Sequence, residues 1–392
     1  MTHASWRDPG TAPAGRVTAV ETFFDIVFVF TLTQLTRTLQ RGLSLAGAGR
    51  MLLVFAVLWY MYGGYAWLTN HVPPRRVSQK LLLFGAMAGF FIAALGIPHA
   101  FDGTGVLFGC GYLVVIALHL ILFTQADALE GVLRLAPYNL GGALLILAAG
   151  FAHGAAVYAL WMTGYLVMTV LPYLVPRHSW VGAAQSFHLS AEHFVERHGL
   201  LVMIALGESV VAVGAAAGAG QVTAGTVCLV VLALALPTAI WWTYFTDDHA
   251  AEQALAAAGD EMRSLLAGRA YYFAHIPMLL GIVVAAAGIQ AAVGRTGDRA
   301  AWPAAVALSG GVALFLAGVA CFRWCLSIGS PMTRIAAAAA VLASIPTGAL
   351  LSPPLHLALV VGIIVAMLVM DGRAASGRAE GGAYGPDDPD RR

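Results

Sequence analysis

Apolar windows long enough to cross a bilayer recur along almost the whole chain, at about residues 20–36, 47–69, 80–97, 104–124, 138–153, 155–175, 199–217, 222–246, 270–293, 302–322, 333–351 and 355–370. A membrane helix needs about 17 to 25 residues at about 1.5 Å each. The pattern therefore predicts an all-α, polytopic transmembrane helical bundle of about twelve spans. Composition excludes the soluble alternative: 59% of the residues are hydrophobic and 10% charged, more apolar surface than a soluble core could hide. Residues 1–16 are polar, carry Trp6, Arg7, Asp8 and Pro9, and lack the apolar run of a secretory signal, so the first window is expected to stay as an anchor. Residues 371–392 are rich in Gly, Pro, Asp and Arg and are expected to form a disordered tail.

The basic residues encode a topology. With the N-terminus cytoplasmic, only Arg37, Arg41, Arg50, Arg295 and Arg299 of the 21 basic residues fall outside; the other sixteen fall inside. A miscounted helix would scramble that bias, so both termini are expected in the cytoplasm. The expected organisation is a polar segment 1–16, a first six-helix half 17–175, a cytoplasmic connection 176–198, a second half 199–370 and the tail. A net charge of +1 with scattered basic residues provides no field for nucleic acid. Cys110, Cys228, Cys321 and Cys325 lie in or beside apolar runs without a CxxC pair and read as packing residues.

Short matches suggest internal duplication. Tyr65-Ala66-Trp67-Leu68-Thr69-Asn70, ending the second window, aligns with Trp242-Thr243-Tyr244-Phe245-Thr246-Asp247, ending the eighth. Ala94-Leu95-Gly96-Ile97 in the third matches Ala286-Ala287-Gly288-Ile289 in the ninth. Glu21 corresponds to Glu196, and Gln34 falls near Glu208. Six helices return the chain to its starting side, so the halves would form a parallel 6+6 repeat about an axis along the membrane normal.

Charge inside the spans points to chemistry, because it is expensive there. Glu21 and Asp25 are four residues apart and share a helix face. They could hold a proton or cation, or could lie at the interface as a dipole-matched first turn. Glu208, between Gly207 and Ser209, falls near mid-depth and must face the bundle interior; Gly207 would let a neighbouring helix approach. His188, Glu192 and Glu196 recur every fourth residue beside His193, Arg197 and His198. Such a set could ligate zinc or iron through His188, Glu192, His193 and Glu196, without being HExxH; a solvated interfacial helix is the alternative. His119 and His275 are possible proton relays. No Walker loop, GxSxG elbow or dinucleotide fingerprint is present, and no cofactor is expected.

Two stretches together, Glu21-Thr22-Phe23-Phe24-Asp25-Ile26-Val27-Phe28-Val29-Phe30, and His193-Phe194-Val195-Glu196-Arg197-His198-Gly199-Leu200 followed by Ala205-Leu206-Gly207-Glu208-Ser209, resemble the bacterial low temperature requirement A family of polytopic membrane proteins. The likeness covers roughly 17–370, with His198 standing where the family pattern has an aromatic residue. It implies a bacterial inner-membrane protein connected with growth under cold stress, and no settled substrate. The leading expectation is a proton- or cation-coupled permease or ion pathway. Asp25 and Glu208 would bind the ion between the halves, with Glu21, Gln34 and Ser209 along the path. Glu192, His193, Glu196 and Arg197 would form a gate, with Gly207, Asn70 and Asp247 as motif positions. The alternatives are a membrane-embedded metal or acid-base enzyme acting on a lipid-like substrate, and a structural protein of cold-stressed membranes. The expected partners are the lipid bilayer and a small ion or solute.

Overall fold

The computed structural model describes residues 16–41, 44–124, 129–174, 189–218, 223–293 and 302–383. Helices dominate, and no strand occurs among the described residues. In chain order they are α1 Ala19–Arg41, α2 Leu45–His71, α3 Val77–Gly96, α4 Gly105–Phe123, α5 Leu129–Ala149, α6 Ala155–Thr169, α7 Ala191–Gly218, α8 Ala224–Phe245, α9 Asp248–Ala257, α10 Asp260–Ala267, α11 His275–Val293, α12 Trp302–Leu326, α13 Met332–Ala343 and α14 Pro353–Ala383. Ten helices among the described residues are long and apolar enough to cross a membrane. The fifth and sixth windows hold α5 and α6, which pack together; α6, with 15 residues, is shorter than a span. Large apolar side chains such as Phe84, Phe91, Val231 and Trp324 point outward. In a bilayer they meet a matching solvent, and helices satisfy their own backbone groups.

The core forms where aromatic side chains interlock, with Phe24 and Phe28 of α1 packing on Tyr62 of α2 and Phe90 of α3. Two helix pairs are built alike through glycine. A Cβ on Gly89 of α3 would lie 2.9 Å from the Gly111 carbonyl oxygen of α4, and one on Gly281 of α11 would lie 2.6 Å from the Gly311 carbonyl oxygen of α12. Seven residues on, Gly96 abuts Phe108 and Gly288 abuts Leu308 in the same way. Backbones can approach this closely only without side chains, a known device of membrane helices. The Gly96 and Gly288 sequence match therefore marks equivalent contacts in the third-fourth and ninth-tenth windows.

Five expectations are corrected. α7 begins at Ala191, so the charged stretch placed in a connecting segment ending at 198 is the first two turns of a span-length helix. His193, Arg197 and His198 there are buried and not solvated, because the other helices close over them. Helix α14 continues to Ala383 where a tail without order was expected from Asp371. Gly207 has no neighbour within 4 Å of a Cβ position and so carries no helix contact. Cys110, Cys228 and Cys321 face outward instead of packing inside.

Residues 248–267 form the short helices α9 and α10, held by Arg263, which donates to the carbonyls of Leu255 at 3.0 Å and Ala258 at 2.8 Å. A wide π-type turn, Gly268–Phe273, then leads into α11.

Candidate functional site

Helices α1 and α7 begin at the same end of the bundle, where α2 ends. Glu21 and Asp25, one turn apart on α1, face Arg197 of α7, and all three are fully buried. Arg197 Nη1 donates to Glu21 Oε1 at 3.3 Å and Nη2 to Asp25 Oδ1 at 3.2 Å, and Nη1 also donates to Thr69 Oγ1 of α2. Its guanidinium lies 5.7 Å from the ring centres of Phe24 and of Tyr62, within cation–π range. Glu21 Oε2 accepts from the Thr18 amide at 2.9 Å and hydroxyl at 2.8 Å, which fixes the first turn of α1.

Asn70 joins α2 to the start of α7. Its Oδ1 accepts from the Ser190 amide at 3.0 Å, and its Nδ2 donates to the Ser190 carbonyl at 3.1 Å and faces His193 Nδ1 at 3.0 Å. An amide NH₂ only donates, so His193 Nδ1 accepts, and the imidazole hydrogen belongs on Nε2, 3.1 Å from Glu21 Oε1. Glu196 accepts from the Val17 amide at 2.9 Å and lies 3.9 Å from Arg16, strapping the chain before α1 onto α7. Two carboxyls thus stand against one guanidinium. Asp25 Oδ2 and Arg197 Nε have no hydrogen-bond partner among the described residues, and a buried charge left unmatched is costly.

A second constellation lies further along the same helices. Glu208 and Ser209 of α7, Thr33, Thr36, Arg37 and Gln40 of α1, and Gln290 of α11 line a recess of about 150 Å³. Gln40 Nε2 donates to Gln290 Oε1 across it. Glu208 is half-buried and Arg37 is exposed, and neither makes a hydrogen bond or ion pair with a described residue. Ser209 is buried and donates to the Ala205 carbonyl at 3.5 Å.

The expected shared site of Asp25 and Glu208 is therefore divided. The helices run side by side, and eleven residues of α7 separate Arg197 from Glu208, about 16 Å at helical rise. Asp25 belongs to the ion-pair cluster and Glu208 to the recess. Gln34 is buried but is not among the residues lining the recess. Asp247 joins neither: Arg323 of α12 grips it through Nε at 2.6 Å and Nη2 at 2.8 Å, and Asp371 of α14 bridges Arg323 and Arg334. Glu192 is exposed, and His188 lies outside the described residues. No group of three or more His, Cys, Asp or Glu positioned for a metal occurs among the described residues. His275 contacts the Ala270 carbonyl and the Tyr244 hydroxyl, both at 2.9 Å, whereas neither ring nitrogen of His119 has a hydrogen-bond partner among the described residues.

Sequence reasoning met Thr69 only as part of a repeat match and Arg37 only as a topology marker, and did not single out Tyr62, Thr33, Thr36 or Gln40. The density of Thr and Gln between residues 31 and 40, unusual inside an apolar span, was a readable signal. Nothing in the local pattern pointed to Gln290 or Arg323.

A family model described as bacterial low temperature requirement A protein matches residues 16–369. An uncharacterized protein of Rhizobium meliloti (strain 1021) is 26% identical over 328 residues, covering 81% of this chain and 79% of the relative. No solved structure matches.

Proposed function

The chain belongs to the bacterial low temperature requirement A family, and from that premise we propose that it is a proton- or cation-coupled permease of the bacterial inner membrane. The observation that carries this reading is Glu208, a carboxyl with no partner among the described residues, facing a recess between α1, α7 and α11. An acid in a span without a structural partner is a liability unless it meets an ion or solute. With the N-terminus inside, the recess lies toward the outer ends of α1 and α11, and the Glu21–Arg197–Asp25 cluster closes the cytoplasmic end beneath it. That cluster is the coupling element: one more negative than positive group makes it neutral only with a bound proton or cation. Its occupancy biases the α1–α7 contact and hence access to the recess. The matching glycine contacts of α3–α4 and α11–α12 support two parallel halves that rock against each other. A role in growth in the cold would follow from the solute moved.

The test is reconstitution in liposomes under an imposed pH or cation gradient. Saturable, gradient-dependent flux in the native protein, lost in Glu208→Gln, is expected. Equal flux in both proteins, or none in either, overturns the reading.

A further inference from the structure

We propose that the recess binds a small zwitterionic solute, its ammonium group held against Glu208 and its carboxylate against Arg37; the inference rests on the permease reading and names its substrate class. Four observations carry it. First, the two charges share one depth. The helices are tied at Asp25 and Arg197; twelve residues of α1 lead from Asp25 to Arg37 and eleven of α7 from Arg197 to Glu208, about 18 and 16 Å of helix, and both side chains line the same recess. Second, neither charge is paired, with the other or with any described residue, although both line the same cavity. A bare cation would be repelled by the guanidinium and a bare anion by the carboxylate. A neutral solute would draw on neither charge and would leave the half-buried Glu208 carboxylate unanswered. A molecule bearing both signs satisfies both.

Third, the hydroxyls beside Glu208 suit an ammonium group. Thr33, Thr36 and Ser209 direct their hydrogens to the carbonyls of Val29, Leu32 and Ala205, so each has oxygen lone pairs left that can only accept. Fourth, the size is small. The recess matches in volume a cavity of about 150 Å³ that accepts benzene in another protein, which fits a solute of about six non-hydrogen atoms, the size of L-alanine. The apolar remainder of the wall, Val29, Ile282 and Ala286, would take a short aliphatic side group.

The full-length protein in detergent is titrated calorimetrically with L-alanine, with ethylamine carrying only the ammonium, and with propionate carrying only the carboxylate. L-alanine is expected to bind at least ten-fold tighter than either half-molecule. Arg37→Gln should bring L-alanine down to the level of ethylamine, Glu208→Gln down to that of propionate, and Arg37→Lys should retain binding. Unliganded melting temperatures equal to the native protein's establish that the variants are folded. Ethylamine binding as tightly as L-alanine, or no L-alanine binding, overturns the zwitterion inference. If Glu208-dependent cation or proton flux into liposomes persists in that case, the permease reading survives without it. L-alanine preference with no flux overturns the permease reading and leaves the binding site standing.

Discussion

Arg197 of α7 places its Nη2 3.2 Å from Asp25 Oδ1 of α1, joining residues 172 positions apart with neither side chain exposed. The same guanidinium reaches Glu21 and Thr69, so one side chain fastens α1, α2 and α7 together. Removing it differs from removing one of its partners, because two carboxyls would then remain buried without a counter-charge.

Arg197→Met is therefore expected to cost about 3–5 kcal/mol, the range for breaking a buried ion pair from one side. Asp25→Asn, which leaves Glu21 and Arg197 as a balanced pair, should cost clearly less. Thermal or denaturant unfolding in detergent checks the order; equal losses would contradict the charge count.

Asn70→Ala removes the bonds to both backbone groups of Ser190 and to His193. A loss of about 1–3 kcal/mol is expected from buried groups left unsatisfied. Hydrogen exchange should rise first at the amide of Ser190 and the opening turn of α7. Unchanged protection there would show that α7 starts independently of α2.

Gly111→Leu and Gly311→Leu should destabilise to a similar degree, since a Cβ at either position would run into the backbone of the facing helix at Ala93 or Ala285. Gly310→Leu, with nothing within 4 Å, is the control. Melting curves of the three variants decide it. Sensitivity of only one of Gly111 and Gly311 would mean that the two helix pairs are not equivalent.

Glu208→Gln should leave stability within about ±0.5 kcal/mol, as for substitutions that break no interaction, because the carboxyl has no described partner to lose. A large drop in melting temperature would assign Glu208 a structural role.

A double-mutant cycle on Asp247 and Arg323 is expected to give a coupling energy of about 0.5–3 kcal/mol, consistent with the two-point grip at 2.6 and 2.8 Å. Additive losses would reduce that contact to crowding.

Hydropathy, a one-dimensional property, marked about twelve windows, ten of which hold span-length helices among the described residues, because a bilayer demands a run of apolar residues at each crossing regardless of what lies beside it. It blurred at the fifth and sixth windows, where α6 is too short to cross by the same measure. Local pattern also marked Asp25 and Glu208 as costly and hence informative, and singled out Glu21 and Arg197 as motif positions. Which of them meet is a matter of helix packing across more than a hundred residues. Only the tertiary structure put Arg197 between Glu21 and Asp25, set Glu208 apart in a recess with Thr33 and Arg37, and turned Asp247 toward Arg323. The physical reason is that desolvation cost is written residue by residue in a sequence, whereas the partner that offsets it is chosen by rotation and register of neighbouring helices, which no single apolar window encodes.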